Sequence, residues 1–286
     1  MSLKHILALA SGGAGDAPVL AFAAALAGQH DGVAEVLPVY PDSAVDMITL
    51  GMALGASLSP EAVEELAAAE RALQDRIEDA ARRAANEADV VYGAGEGAPR
   101  LSVLTRGLRP ALALSRHAAL ADLVVIAQKS IDDGSVREFL GQALLADRAP
   151  VLVARGDPER LGGPAAIAWD GSPQAGRAVR AALPLLAMAS SVHVLQCVTG
   201  VDPQSGDPDV ETLNAYLKLH GVGAGEATLV EGADEGAALL AMAKVKQAGL
   251  LVAGAWGHSR LRETLFGGAT RAFLGQTYGP SLLLAH

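Results

Sequence analysis

Residues 254–270 of this 286-residue chain read GAWGHSRLRETLFGGAT, a dense set of groups suited to holding an anion. Gly254 and Gly257 follow an apolar run, and Gly267 and Gly268 precede an expected helix over 269–276. Glycine at a strand-to-helix turn lets the backbone approach a ligand and adopt positive φ. Open N–H groups at the next helix start can then point at a phosphate, helped by the helix dipole. Thr270 adds a hydroxyl, while His258, Arg260 and Arg262 add donors or positive charge. A solvent-facing loop suits His258 as well as a phosphate contact does. Arg260 and Arg262 equally suit pairing with Glu263 or with a neighbouring domain.

A second candidate is Asp170, in the WDGS segment at 169–172. It can contact a ligand or simply cap the turn that Asp-Gly favours. Trp169 and Trp256 stand at two strand ends and suit a base pocket or core packing. The segment SGGAGD at 11–16, also after a strand, imperfectly resembles the SGGxD pyrophosphate loop of adenylating enzymes. One glycine-rich turn is weak evidence, and a plain turn explains it. Cys197 lies in an apolar strand and reads as a small core residue. No Ser–His–Asp set and no zinc-ligand spacing is present, so the sequence offers a binding site without a catalytic constellation.

These residues need elements to hold them. Half of the residues are apolar (51%) but only 3% are aromatic, so the core is built mainly of Ala, Leu and Val. The formal charge of −10 argues against a nucleic-acid partner, which requires a basic face. One cysteine fits a reducing cytoplasm, and no run reaches membrane-spanning length.

The chain repeats itself. Residues 5–27 and 165–187 each read as an apolar strand, a Gly/Ser turn and an apolar helix. Residues 121–127 (ADLVVIA) parallel 248–254 (AGLLVAG), and 149–155 (APVLVAR) parallel 279–285 (GPSLLLA). Uninterrupted Val/Ile/Leu runs mark strands covered on both faces of a parallel sheet. Further strands are expected at 33–40, 90–92, 191–198 and 227–230, with a long helix over 59–87 capped by Ser59. The segment 44–57, containing Met47 and Met52, reads as a helix or loop packed on the sheet. The fold class is therefore α/β, with two doubly wound, Rossmann-like parallel-sheet domains in tandem. Their bounds are 1–155 and 165–286, joined by the Gly/Pro-rich linker 156–164.

The spacing Gly254-x2-Gly257-x9-Gly267, with Asp170-Gly-Ser and a final strand opened by Pro280, resembles the universal stress protein family. The resemblance runs over both halves. It implies an adenine nucleotide alpha hydrolase-like fold and a nucleotide-binding loop. By that resemblance Asp170 meets the adenine edge, and Val198 flanks the base. Gly254, Gly257, Gly267 and Gly268, with His258 and Thr270 beside them, surround the ribose and phosphates. The family's Ser or Thr after the third glycine is Gly268 here, so Thr270 must supply that hydroxyl or phosphate binding weakens. The first half departs further: Ala10 stands where Asp170 would, and QKSIDDGSVREF at 128–139 lacks the leading glycines.

The resemblance thus implies a cytoplasmic stress-response protein binding ATP or AMP in its second half, with Mg accompanying ATP. Hydrolysis is slow at most. The alternatives are an interaction protein without nucleotide and, on SGGAGD alone, an adenylating or ATP-hydrolysing enzyme. Family resemblance also implies antiparallel pairing of the two terminal strands, 151–155 with 281–285, an unidentified protein partner, and a possible homodimer of such chains.

Overall fold

The computed structural model describes residues 3–40, 59–105, 109–197, 209–255 and 268–286. Its first half contains β1 His5–Ala10, α1 Asp16–His30, β2 Val33–Pro38, α2 Pro60–Glu87, β3 Val91–Tyr92, β4 Arg100–Val103 and α3 Pro110–Ala118. β5 Leu123–Ala127, the short helices α4 Gln128–Asp132 and α5 Arg137–Gly141, a π turn at Gln142–Ala146, and β6 Val151–Ala154 complete that half. The second half contains β7 Pro164–Ala168, α6 Pro173–Leu186, β8 Ser191–Cys197, α7 Val210–Leu219 and β9 Thr228–Val230. It ends with α8 Glu235–Val245, β10 Leu250–Gly254, α9 Gly268–Leu274 and β11 Ser281–Ala285.

The eleven strands of the described residues form one sheet in the order β3-β4-β2-β1-β5-β6-β11-β10-β7-β8-β9. Every neighbouring pair is parallel except β6 and β11. The apolar runs are continuous because helices cover both faces. Along β1, Ile6, Ala8 and Ala10 enter one core layer with Leu20 of α1 and Ile77 of α2. Leu7 and Leu9 enter the opposite layer with Leu114 of α3 and Leu140 of α5. A strand with two dry faces gains nothing from polar alternation. Among the described residues no helix is long and apolar enough to cross a membrane.

The helix ends follow their capping residues. Ser59 accepts from Ala62 N at 3.2 Å, and Pro60 occupies the first position of α2. The expected strand at 33–40 ends at Pro38, and the one at 90–92 forms only over Val91–Tyr92. The expected linker tightens into a 3-10 turn at Pro158–Gly162, capped by Asp157. Sequence reasoning did not place β4 or the helices α3, α4, α5, α7 and α8. The segment 44–57, with Met47 and Met52, lies outside the described residues.

The two halves meet where β6 and β11 pair antiparallel, as expected of those strands, in the register Val153↔Leu282, Leu152↔Leu283 and Val151↔Leu284. Immediately beyond β6, Arg155 is buried, at 4% exposure. Its guanidinium donates to Gln128 Oε1 at 3.0 and 2.6 Å, to Phe273 O at 2.6 Å and to Pro280 O at 3.2 Å. Burial pushes its pKa down to about 10, while the carboxylate of Asp132 works in the opposite direction. Gln128 in turn donates to Leu274 O at 2.9 Å and to Asp132 Oδ1 at 2.7 Å. Asp132 also accepts from Thr277 Oγ1 at 3.1 Å. Groups of the first half thereby satisfy the carbonyls that end α9 in the second. Arg155→Ala strands these buried acceptors. It is expected to lower stability by about 3–5 kcal/mol in urea denaturation, with Gln128→Ala costing less.

At the opposite end of the first half's strands, His5 Nε2 meets Glu35 Oε2 at 2.9 Å, and His117 Nδ1 approaches the same oxygen at 3.4 Å. The hydrogen bond to Glu35 raises the His5 pKa above 6.5, against an opposing effect of burial. The same bond lowers Glu35 below 4.5. A raised histidine stabilises fully below its unfolded value and loses that contribution as pH rises through its folded value. A lowered carboxylate loses its contribution as pH falls through its folded value. The pair therefore supports the fold most between 4.5 and 6.5. The difference in unfolding midpoint between the wild type and His5→Ala is expected to shrink as pH rises above that window.

Candidate functional site

The carboxyl ends of β7, β8 and β10 converge at the point where the strand order reverses about β7, the usual ligand position in open α/β sheets. Trp169 and Asp170 leave β7 there, Leu195 and Cys197 end β8, and Gly254 ends β10; α9 covers them with Phe273. Together they line a cleft of about 80 Å³. That volume is small beside the roughly 300–1,000 Å³ of ordinary ligand pockets.

Local sequence explains how each group is placed. Asp170 Oδ1 accepts from Ser172 N at 2.9 Å, and Gly171 has φ +73°. The pair makes the Asp-Gly turn that positive φ permits. Ser172 then caps α6 by accepting from Ala175 N at 3.1 Å, with Pro173 opening the helix. Asp170 thus closes the turn and also faces the cleft. Trp169 is fixed by its indole, which donates to Asp209 O at 3.3 Å.

Gly254 has a packing reason of its own. A Cβ there would lie 2.7 Å from Ala175 N and 2.9 Å from Gln174 Cβ, inside the first turn of α6. Its lack of a side chain lets β10 abut that turn. Gly268 is the reverse case: a Cβ would meet nothing within 4 Å. Thr270 is 3% exposed, on the inner face of α9 with Phe273. Helix α9 itself lies close on α8, where a Cβ on Gly236 would come within 2.7 Å of Ala269 Cα. Val198, Gly257, His258 and Gly267 lie outside the described residues, as do Trp256, Arg260, Arg262 and Glu263. The structure therefore brings together Asp170 and Gly254, with Gly268 and Thr270 at the start of the covering helix.

Sequence reasoning missed Leu195, Phe273 and Gly236, and took Cys197 for core alone. Cys197 is 7% exposed and also forms a wall of the cleft. Apolar strand and helix residues carry no sign that separates a pocket wall from core. The contact between Gly236 and Ala269 depends on two elements far apart in the chain.

The first half uses its corresponding positions differently. Ala10 is fully buried. In the SGGAGD loop, Asp16 turns back and accepts from Ser11 N at 2.9 Å and Gly12 N at 2.7 Å. Burial raises the Asp16 pKa, and these amides pull it back. The loop is a turn closed on its own carboxylate. Gln128 and Asp132 serve the contact between the halves, as described above.

Among solved structures, a universal stress protein from Archaeoglobus fulgidus DSM 4304 matches 99% of this chain and 96% of its own, at TM-score 0.68 and 12% identity. A protein of unknown function from Pseudomonas aeruginosa PAO1 matches 99% of this chain and 92% of its own, at TM-score 0.52 and 16% identity. A universal stress protein in complex with cAMP covers 43% of this chain and 97% of its own, at 22% identity and TM-score 0.33, and carries no argument about this site. No family model and no curated protein matches the sequence. The chain has the α/β fold found in universal stress proteins.

The geometry distinguishes the glycines by substitution. Gly254→Ala must displace backbone of α6 and is expected to cost about 1–3 kcal/mol. Gly268→Ser enters open space and is expected to stay within about 0.5 kcal/mol of wild type. Paired denaturation midpoints check both.

Proposed function

We propose that this chain is a stress-response module that binds an adenine nucleotide, ATP or AMP, in its second half. The observation that carries the reading is the convergence of Asp170 and Gly254 on one cleft at the strand-order reversal. That edge is where doubly wound sheets receive ligands. The proposed units are 1–155 and 165–286, joined by 156–164. In the second unit, Asp170 offers an acceptor to the adenine amino group beside the end of β8, where Val198 follows. Gly254, Gly257, Gly267 and Gly268 border the ribose and phosphates, with His258 and Thr270 adjacent. When bound with ATP, Mg would neutralise phosphate charge. The first unit does not share this role, because its loops are closed on Asp16 and committed to Arg155.

Two observations favour a second reading, an interaction protein that no longer uses nucleotide. The cleft measures only about 80 Å³. Gly268 also leaves the expected hydroxyl position empty of any side chain.

Calorimetric titration of the full chain with Mg-ATP, and with AMP in parallel, separates the readings. One-site binding lost in Asp170→Ala is expected. Gly268→Ser is expected to tighten ATP about tenfold, the worth of one charge-assisted hydrogen bond, with a smaller gain for AMP. No heat, and no nucleotide retained through purification, would establish the second reading instead.

A further inference from the structure

A separate slot opens between α6 and α7, on the face of the sheet that these helices cover. Gly176, Val179 and Arg180 are spaced i, i+3, i+4 and share one face of α6; Leu213 and Tyr216 line it from α7, and Trp169 closes one end. Val179 and Leu213 are buried, at 2% and 3% exposure, and form an aliphatic floor. Two aromatic side chains border the slot, each with a neighbour holding it. Trp169 is tied through its indole to Asp209 O, and Tyr216 packs on His220 with ring centroids 4.7 Å apart. The slot measures about 180 Å³. An apolar cavity of about 150 Å³ is large enough to take benzene.

Two features of α6 make this more than an interhelical groove. At Gly176 a Cβ would meet nothing within 4 Å, so the missing side chain leaves the slot open without any packing need for glycine. Glycine in a helix interior costs about 0.5–1 kcal/mol relative to alanine, and neither close packing nor a positive φ requires it at Gly176. At the rim, Arg180 is exposed and makes no hydrogen bond or ion pair with any described residue. One planar guanidinium beside an aromatic-walled apolar slot matches one carboxylate on one ring.

We propose that this slot binds a small planar aromatic carboxylate, with the ring between Trp169 and Tyr216 and the carboxylate on Arg180. The site is independent of the nucleotide reading, although Trp169 borders both cavities.

The test uses the full chain with Trp256→Phe, which leaves Trp169 as the sole tryptophan of the two. Benzoate is titrated while Trp169 emission is followed, with benzyl alcohol as the neutral analogue and acetate as the control for ionic strength. Saturable benzoate binding is expected, half-complete at about millimolar concentration, as suits so small a ligand. Gly176→Leu fills the slot and is expected to weaken both aromatic probes at least about tenfold; a melting curve verifies that it folds. Arg180→Gln is expected to weaken benzoate about tenfold and leave benzyl alcohol unchanged. A linear response equal to that of acetate, or binding that Gly176→Leu does not alter, would overturn the site. Equal affinity for the two aromatic probes, before and after Arg180→Gln, would overturn the carboxylate.

Discussion

The antiparallel pairing of β6 with β11 is the constraint on which the rest of the structure depends. Each is the last strand of its half, apolar on both faces and fully buried along its paired residues. Left alone, either would present open backbone N–H and C=O groups to any passing strand. Joined, they turn two parallel sheets into one and, among the described residues, leave β3 and β9 as its edges. Those edges have two and three residues, too short to template much pairing.

That seam draws on the segment of the first half that follows β5. The segment after β5 forms a helix whose Gln128 lies under Arg155 and whose Asp132 reaches Thr277. The corresponding segment of the second half follows Gly254 and, beyond Ala255, lies outside the described residues. The helix after it, α9, is held from two sides: by α8 across Gly236, and by Arg155 and Gln128 at its final carbonyls. The helix that covers the cleft is thus held partly by residues of the other half.

Much of this was legible because parallel strands announce themselves as apolar runs and because the chain repeats. The repeat placed β1 with β7, β5 with β10 and β6 with β11. Ser59-Pro60 fixed the start of α2 through local chemistry alone. β4 was missed because Arg100–Val103 is four residues with two polar members, set after a Gly-rich stretch. Its identity as a strand comes from lying between β2 and β3, which is tertiary information. The polar knot was missed for the same reason. A charged residue at a strand end before a glycine reads as the start of a linker, and nothing local shows that Arg155 will be buried by groups 118 to 125 residues away. At the site, Asp170 closes the turn its dipeptide suggested and also lines the cleft. Gly254 has acquired a steric reason that no spacing argument contained.

The knot is also one-sided. By the repeat, the position matching Arg155 in the second half is Ala285, which makes no comparable reach. Two copies of the first half meeting through β6 would bury two guanidiniums without the carbonyls of Phe273 and Pro280 to receive them. Two copies of the second half would leave the ends of α9 uncapped by any guanidinium. The arginine therefore acts as a mating rule: it rewards unlike halves and penalises like ones. A fold whose strands would otherwise pair indiscriminately acquires from a single buried side chain a distinction between self and complement.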